Sequence, residues 1–148
     1  MPYDPVAIQP FRDELTRIGF DELRTAGEVD KAVQEMKGTN LLVINSVCGC
    51  AAGKARPGIS MALSQSQARP DHLTTVFAGA DMEATARVRE HLGNLPPSSP
   101  SIALFRDGEL VHFVPRYQIE GRDAFQISEH LKAVFAEFCG ETAAQAGH

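Results

Sequence analysis

The fold is decided by residues 41–58, which read LLVINSVCGCAAGKARPG. The first part of this stretch, residues 41–47, is apolar except for one asparagine and one serine, a pattern typical of a strand buried on both faces. Two cysteines separated by one glycine follow at once, and the alanine-rich segment behind them favours a helix. The stretch therefore predicts a strand, a tight loop and a helix in succession, with the thiols of Cys48 and Cys50 at the junction.

Helix and strand patterns alternate on both sides of this unit. Apolar residues at helical spacing predict helices over residues 6–18, 25–38, 51–63, 81–92 and 123–140, with an interruption at Pro57 and Gly58. Apolar runs predict strands over residues 20–23, 41–47, 73–78, 101–105 and 110–114, the last two joined as a hairpin. This order predicts an α/β fold: a mixed sheet with helices on both faces, plus an N-terminal helix.

Three residues are placed to begin helices. Thr25 with Glu28 three residues later forms a capping-box signature, and Asp81 and Asp123 stand directly before two later helical patterns. The apolar residues of the last helix predict one broad face directed at the core: Phe125, Ile127, Leu131, Val134, Phe135 and Phe138.

Composition places the chain among globular proteins of one domain. It has 148 residues, 43% of them apolar and 22% charged, which supports a single core over residues 1–148 and excludes a disordered chain. A net charge of −5 argues against a nucleic-acid partner, and no apolar run approaches the ~20 residues of a membrane span. The first residues lack the pattern of a signal peptide, so we expect a cytoplasmic protein, with a frayed tail over residues 141–148.

The two closely spaced cysteines carry the predicted chemistry. Cys48 comes where the helix begins, and the unpaired amides and the helix dipole at such a position stabilise a thiolate, the nucleophile of disulfide exchange. Lys54 and Arg56 supply cations on the same helix, and Gly49 gives the loop backbone freedom. A disulfide across one intervening residue would be strained and easily reduced. We therefore expect Cys48 to be the exposed thiol of lowered pKa and Cys50 to be the more covered one.

A metal site is the main alternative for these thiols. Zinc prefers four ligands, whereas Cys48, Cys50 and Cys139 supply at most three. The histidines show no ligand-like pairing in the sequence and are interpreted as surface or strand-edge residues: His72, His91, His112, His130 and His148. We therefore expect neither a bound metal nor a tightly bound cofactor. A further interpretation is that Cys48 and Cys50 are buried side chains that take part in no chemistry.

A second stretch, residues 100–109, reads PSIALFRDGE and forms the start of the predicted hairpin. It resembles the segment PTLLLFKNGE of the thioredoxin superfamily without a gap, and a buried strand followed by cysteines at a helix start resembles that superfamily as well. The resemblance implies a thioredoxin-like fold in which Pro100 is a cis-proline that faces the active site. It also implies that the backbone of Ser99 pairs with the extended chain of a substrate.

One branch of that superfamily is more similar still. Residues 45–58 resemble the bacilliredoxin family, whose signature is the C-G-C loop. Residues 96–104 and 111–113 resemble the same family, and the similarity runs from about residue 6 to about residue 140.

This resemblance implies an enzyme: a thiol–disulfide oxidoreductase that removes bacillithiol from mixed disulfides on oxidised proteins, with bacillithiol as co-substrate. By the same resemblance Cys48 attacks the mixed disulfide and takes up the low-molecular-weight thiol, and Cys50 or a second thiol then releases it. A thioredoxin keeps a buried acid six residues before its first active-site cysteine, whereas Leu42 stands there in this chain. That change favours isomerase or monothiol behaviour over efficient dithiol reduction.

Other interpretations stay open at the level of the sequence. A general protein disulfide isomerase, acting on disulfide-containing proteins, fits the same residues. So does a non-catalytic module that binds a metal or a partner through the C-G-C loop. Cys139 is either a buried helix residue, since a free cysteine packs as a small hydrophobic side chain, or a peripheral resolving thiol.

Overall fold

The structure of the protein, a computed structural model, describes residues 3–139. Helices α1 to α6 span Pro5–Thr16, Ala26–Asp30, Arg56–Gln65, Met82–Leu92, Arg116–Glu120 and Ala124–Phe138. Strands β1 to β5 span Asp21–Glu22, Thr39–Asn45, His72–Phe77, Ser101–Arg106 and Glu109–Val114. Two π-helical segments, Lys31–Glu35 and Ala51–Ala55, follow α2 and precede α3.

The five strands form one mixed sheet in the order β1-β3-β2-β4-β5. β2 lies at its centre, parallel to β3 on one side and antiparallel to β4 on the other. Every residue of β2 is buried, as its apolar run predicts for a strand covered on both faces. The short β1 lies at the edge beside β3, so the edge strand predicted at residues 20–23 is confirmed.

Helices cover both faces of this sheet, and alternate residues of β2 point to opposite faces. Leu41 and Val43 belong to the larger core, which α1, α3 and α6 close. Leu42 and Ile44 belong to the smaller core under α2 and α4. The predicted α/β fold, including the N-terminal helix α1, is therefore confirmed.

A tight turn at Asp107 and Gly108 joins β4 to β5 as a hairpin, as the sequence predicts. The two residues have φ angles of 51° and 88°, and a turn with two positive φ angles matches the twist of the flanking strands. Since β5 runs antiparallel to β4, Val114 at its end pairs with Ile102 near the start of β4. The chain that follows β5 is thereby returned to the end of the sheet where β4 begins.

Two of the predicted helix caps use their side chains. Asp123 and Gln126 form a complete capping box at the start of α6. The hydroxyl of Thr25 accepts a hydrogen bond from the amide of Glu28 at 3.1 Å. The return hydrogen bond of a capping box differs here, since the Glu28 carboxylate accepts from the amide of Arg24 and not from the amide of Thr25.

The third predicted cap, at Asp81, is wrong in its chemistry. Asp81 stands at the start of α4, but its side chain caps no amide of that helix. Its carboxylate instead accepts hydrogen bonds from the guanidinium of Arg12 at 2.7 and 3.0 Å and from the amide of Phe77 at 3.0 Å. A buried carboxylate requires such partners, and this pair ties α1 to the end of β3.

The predicted interruption at Pro57 and Gly58 is absent, because α3 runs through both residues. Pro57 stands in the first turn of α3, where a missing amide is best tolerated. The irregularity lies one turn earlier, in the π-helical segment Ala51–Ala55 directly behind the cysteines. Gly58 has a packing role, since a Cβ there would lie 2.7 Å from Ile127 of α6.

Two features of the C-terminal half also correct the sequence predictions. No helix is predicted between β5 and α6, yet Arg116–Glu120 forms the short α5. Phe125 is predicted to face the core but is 60% exposed. It stands two residues before the buried Ile127, which turns it by about 200° around the helix and so to the opposite face.

The predicted helix end at Gly140 and the predicted tail at 141–148 lie outside the described residues. No helix within residues 3–139 is long and apolar enough to cross a membrane.

Candidate active site

The two closely spaced cysteines lie at the carboxyl end of the central strand β2. The backbone carbonyl of Cys48 accepts hydrogen bonds from the amides of Ala51 and Ala52, at 3.0 and 3.2 Å. Cys48 therefore stands directly before the first helical turn, where backbone amides are left without carbonyl partners. This is the placement that the sequence predicts for it.

Backbone and hydroxyl groups of the loop form hydrogen bonds with Cys48. The amide of Cys50 donates to Cys48 Sγ at 3.3 Å, and the amide of Cys48 donates to the hydroxyl of Ser46 at 3.0 Å. A donor that points at a sulfur stabilises the thiolate more than the thiol. Both cysteines are free and both are half-buried, so their exposure does not separate them as predicted. Cys50 does, however, also pack against the larger core.

The surroundings shift the pKa values of the two thiols in opposite directions. Burial tends to raise the pKa of Cys48, but the hydrogen bonds from Cys50 and the charge of Arg116 outweigh it and lower this pKa. The pKa of Cys50 is raised by burial, by its interaction with Cys48 and by the charge of Glu120. One sulfur is thus favoured as a thiolate while the other keeps its proton.

Arg116 is the cation whose charge acts on both sulfurs, and the sequence pattern did not reveal it. Its amide donates to the hydroxyl of Ser98 at 3.2 Å, and its Nη1 donates to the carbonyl of Ser99 at 3.3 Å. Its Nε donates to the carboxylate of Glu120. The hairpin is the sequence signal for this placement. Because β5 runs antiparallel to β4, the chain that follows β5 lies at the end of the sheet where β4 begins.

The loop before β4 reaches the same end of the sheet as the cysteines. The peptide bond between Ser99 and Pro100 is cis, as the resemblance to the thioredoxin superfamily implies. Ser101 pairs with Ile44 of β2, so Pro100 lies beside the end of β2 from which the chain continues to Cys48. Pro100 is buried there, and Ser99 is half-buried.

Arg56, one of the two cations predicted to stabilise the thiolate, binds other groups instead. It is 2% exposed, and its Nη1 donates to the side-chain oxygen of Asn45 and to the carbonyl of Ser46, both at 2.9 Å. Its Nε donates to the carboxylate of Glu14 at 3.0 Å. Arg56 therefore supports the strand end and the loop that carry the cysteines, and it acts on the sulfur only through them.

The other predicted loop residues also have different roles from those expected. Lys54 Nζ donates to the backbone carbonyl of Glu120 at 2.6 Å and so fastens α5 to the segment behind the cysteines. Gly49 has no positive φ, and nothing lies within 4 Å of the position that a Cβ would take. This reduced form of the loop therefore does not require the backbone freedom predicted for Gly49.

Cys139 lies at the opposite end of β2, where its side chain interacts with Thr39, and it is 2% exposed. The strand between the two ends has 7 residues, which corresponds to about 20 Å. Burial and, more weakly, Asp71 raise the pKa of Cys139, while Thr39 and Arg106 oppose the rise. Of the two interpretations of Cys139, the structure shows the buried helix cysteine.

Two of the histidines lie side by side, a contact that the sequence did not reveal, and one of them stands on the edge strand β5. Nε2 of His112 in β5 lies 2.9 Å from Nε2 of His130 in α6, so one ring donates and the other accepts. Burial lowers the pKa of both rings, and the charge of Arg122 lowers both further. Among residues 3–139, no group of three or more His, Cys, Asp or Glu side chains is placed to hold a metal ion.

A mixed sheet with a dithiol after its central strand and a cis-proline beside it defines a thiol–disulfide oxidoreductase of thioredoxin fold. The thioredoxin of Fasciola hepatica superposes with a TM-score of 0.56 at 17% identity, over 80% of this chain and 99% of that one. A structure described as a putative oxidoreductase with a thioredoxin fold superposes with a TM-score of 0.54 at 12% identity, over 71% and 94%. At these identities the likeness shows the fold.

Similar sequences identify the family within this class. The family described as Disulphide isomerase matches residues 3–139. A bacilliredoxin of Geobacillus kaustophilus is 51% identical over 133 residues, 90% of this chain and 92% of that protein. A bacilliredoxin of Salinibacter ruber is 52% identical over 142 residues, 95% of this chain and 84% of that protein. The chain belongs to the bacilliredoxin family, and it is an enzyme rather than the non-catalytic binding module that its sequence left open.

Proposed function

We propose that this protein removes bacillithiol from mixed disulfides on oxidised proteins, with Cys48 as the attacking thiol. The observation that carries the proposal is the amide of Cys50 at 3.3 Å from Cys48 Sγ, in a setting that lowers the pKa of Cys48 and raises that of Cys50. The choice of bacillithiol is supported by the names of relatives that are 51% and 52% identical to this chain over the aligned residues.

In the first step, the thiolate of Cys48 attacks the bacillithiol sulfur of the mixed disulfide. A disulfide forms between Cys48 and bacillithiol, and the bond to the substrate protein breaks, so that this protein leaves as a thiolate and takes a proton from water. One disulfide replaces another, and no external oxidant or reductant is consumed. The lowered pKa of Cys48 favours this step because the rate depends on the thiolate fraction of the attacking thiol.

Two routes can complete the cycle. Cys50 can lose its proton and attack Cys48, which frees bacillithiol and leaves a disulfide between the two cysteines. Two further bacillithiol molecules must then reduce this disulfide, and they leave as bacillithiol disulfide, before the cycle can repeat. A second bacillithiol thiolate can instead attack the bacillithiol sulfur, which frees Cys48 and yields bacillithiol disulfide. The raised pKa of Cys50 slows the first route, and Leu42, which is 0% exposed, offers no carboxylate to accept the proton. We therefore expect the second route to prevail.

The loop at Ser99 and Pro100 is the proposed contact for the substrate chain. In thioredoxin-like proteins the residue before the cis-proline pairs with an extended substrate through its backbone. Here the carbonyl of Ser99 already accepts a hydrogen bond from Arg116 at 3.3 Å. A substrate chain would therefore pair with the amide of Ser99, or displace Arg116 from its carbonyl.

A general disulfide isomerase is a second candidate, favoured by the description of the family that matches residues 3–139. It would use the same first step on a disulfide between two protein cysteines. The two functions differ in substrate, so the rate on a bacillithiolated protein should be compared with the rate on a protein with scrambled disulfides. Either reaction suits the reducing cytoplasm, where we predict the protein to act.

Single-turnover mixing with a bacillithiolated protein tests the proposal. Cys48→Ser should abolish the transfer, because the attacking sulfur is gone. Cys50→Ser should retain the first step and accumulate bacillithiol on Cys48, which mass spectrometry locates. Cys139→Ser is the matched control, and it should transfer bacillithiol at the rate of the unmodified protein.

Two results would contradict the assignment. If Cys48→Ser forms the adduct on Cys50 at the unmodified rate, the roles of the two cysteines are reversed. If neither variant changes the rate, the C-G-C loop is not the active site. Transfer from the bacillithiolated protein that is slower than isomerisation of scrambled disulfides would favour the second candidate.

A further inference from the structure

Arg116 and Glu120 form an ion pair beside the cysteine loop. The two residues are one turn apart in α5, and their side chains are 43% and 49% exposed. Their charges act on the sulfurs with opposite sign, since Arg116 favours the thiolate of Cys48 and Glu120 opposes ionisation of Cys50. The ion pair is therefore open to a ligand and close enough to the reacting sulfurs to act on them.

Part of the Arg116 guanidinium is available for such a ligand. Nη1 donates to the carbonyl of Ser99 and Nε to the carboxylate of Glu120, whereas no residue in the described part of the chain accepts a hydrogen bond from Nη2. The amide of Arg116 is itself bonded to Ser98, which fixes the start of the side chain. The N–H groups of Nη2 lie in the guanidinium plane, and one of them can donate a charge-assisted hydrogen bond to a carboxylate oxygen.

We propose that Arg116 binds a carboxylate of the low-molecular-weight thiol that is exchanged at Cys48, and so selects acidic thiols. This inference rests on the proposed function, in which the thiol is bacillithiol, whose malate group is a dicarboxylate. The sulfur of the thiol lies at Cys48 during exchange, and the acidic group reaches the guanidinium beside the loop. Glu120 competes for the same guanidinium, so it weakens the selection.

The effect on selection has to be separated from the effect of Arg116 on Cys48 itself. Loss of the cation also removes a charge that favours the Cys48 thiolate, which slows exchange with every disulfide. A ratio of rates between an anionic and a neutral disulfide cancels this shared effect, because both disulfides react with the same thiolate.

Two chromogenic disulfides supply that ratio without any need for bacillithiol. Dithiobis(nitrobenzoate) carries a carboxylate on each ring, and dithiodipyridine is neutral. In each reaction the Cys48 thiolate forms a mixed disulfide with one aryl group and releases the other as an aryl thiolate. Second-order rate constants are measured for the full chain and for the Arg116→Gln, Arg116→Lys and Glu120→Gln variants. The control is Arg17→Gln, at an exposed arginine beyond the end of α1.

Arg116→Gln should lower the ratio of anionic to neutral rates by about fivefold, the equivalent of roughly one solvent-screened ion pair. Arg116→Lys should keep most of the ratio, Glu120→Gln should raise it, and Arg17→Gln should leave it unchanged. A ratio that is the same in Arg116→Gln and the unmodified protein overturns the inference. So does a fall in Glu120→Gln, which keeps the inference testable if the arginine variants do not fold.

The outcome is distinguishable from failure of the proposed function. If the ratio depends on Arg116 but bacillithiolated proteins are not substrates, the proposed function is wrong and Arg116 still selects acidic disulfides. If bacillithiolated proteins are substrates and the ratio does not depend on Arg116, only the inference about Arg116 is wrong.

Discussion

The central strand β2 has a cysteine at each of its ends, and the two sulfurs lie in opposite environments. Cys48, at the carboxyl end, receives a hydrogen bond from the amide of Cys50 and the charge of Arg116, and its pKa is lowered. Cys139, at the amino end, is 2% exposed, and burial raises its pKa. The same side chain is thus prepared as a nucleophile at one end and packed as part of the core at the other.

The difference shows which features make a thiol reactive in this fold. Arg106 is close enough to Cys139 to oppose the rise in its pKa, so a neighbouring cation alone does not make a low-pKa thiol. What Cys48 has in addition is the start of a helix, whose amides are turned towards the sulfur. We infer that the loop backbone is the main source of reactivity and that the cation adds to it.

The largest contrast between the two ends is expected in thiol labelling of the folded, reduced protein. With a limiting alkylating reagent at neutral pH, Cys48 should react first, and Cys139 should react at least about tenfold more slowly because it requires local opening of the end of α6. Site-resolved mass spectrometry measures both rates. Urea below the unfolding transition should speed the labelling of Cys139 and leave that of Cys48 nearly unchanged. Equal labelling rates at Cys48 and Cys139 would contradict the difference in reactivity between the two thiols.

The second contrast concerns the residues that hold each end in place. Arg56→Ala leaves Asn45 and the carbonyl of Ser46 without their buried donor, and we expect a loss of about 2–3 kcal/mol in the free energy of unfolding. Urea denaturation measures this loss, and exchange at Cys48 should slow as well. Arg56→Lys should lose less free energy of unfolding than Arg56→Ala but still be less stable than the unmodified protein, because lysine keeps the charge without the fork of donors.

Lys54→Ala is the matched control for Arg56. Lys54 lies two residues before Arg56, and its only side-chain hydrogen bond within the described residues is an exposed one to the carbonyl of Glu120. Its removal should change the free energy of unfolding by less than about 0.5 kcal/mol. A loss as large as that of Arg56→Ala would show that the contacts of Arg56 are not what supports the loop.

A third contrast is between the groups that set the pH dependence of stability and the thiol that sets the pH dependence of alkylation. Burial lowers the pKa of His112 and His130, so the folded state favours their neutral forms and the unfolded state takes up protons first. Their contribution to stability is present above the unfolded pKa of about 6.5 and is lost as the pH falls below it. Thermal unfolding of the double variant His112→Gln and His130→Gln should therefore show a smaller loss of stability between neutral and mildly acidic pH.

The pH dependence of alkylation at Cys48 should be the same in that double variant and in the unmodified protein. Stability and reactivity would then follow different groups. A change in the alkylation profile would mean that the histidine pair is coupled to the cysteine loop.

The smallest effect is expected at Gly49. A Cβ at this position meets nothing within 4 Å, and φ is not positive, so Gly49→Ala should change the free energy of unfolding by no more than about 0.5 kcal/mol in the reduced protein. Any role of the glycine should emerge only when the two sulfurs are joined. Formation of the disulfide between Cys48 and Cys50 should therefore slow in this variant, as thiol counting after oxidation would show. A large loss of stability in the reduced form would contradict the open surroundings of Gly49.

Most of the fold could be predicted from the sequence because its signals are local. The buried strand β2 shows as an apolar run, the hairpin shows as Asp107 and Gly108 between two strands, and the capping box shows as Asp123 and Gln126. The placement of Cys48 at a helix start follows from the same local pattern. The cis bond before Pro100 has no local signal and was expected only through a family resemblance.

The parts of the site that sequence could not predict depend on the return of distant chain segments and on side-chain directions. Arg116 comes to the cysteine end of the sheet because β5 runs back along β4, and the short α5 that carries it has no strong helical pattern. The sequence predicts Arg56 only as a cation on the helix behind the cysteines, because it does not show the direction of a side chain, and this side chain turns to the end of β2. His112 and His130 lie 18 residues apart on a strand and a helix that meet only in the folded protein.

The central claim is that the loop lowers the pKa of Cys48, and the pH dependence of alkylation at each cysteine tests it most directly. The reduced protein is labelled for short times over a range of pH, and mass spectrometry follows Cys48 and Cys139 separately. The midpoint for Cys48 should lie below the ordinary cysteine value of about 8.5, and the midpoint for Cys139 should lie above it. A midpoint for Cys48 at or above that of an unperturbed cysteine would contradict the account.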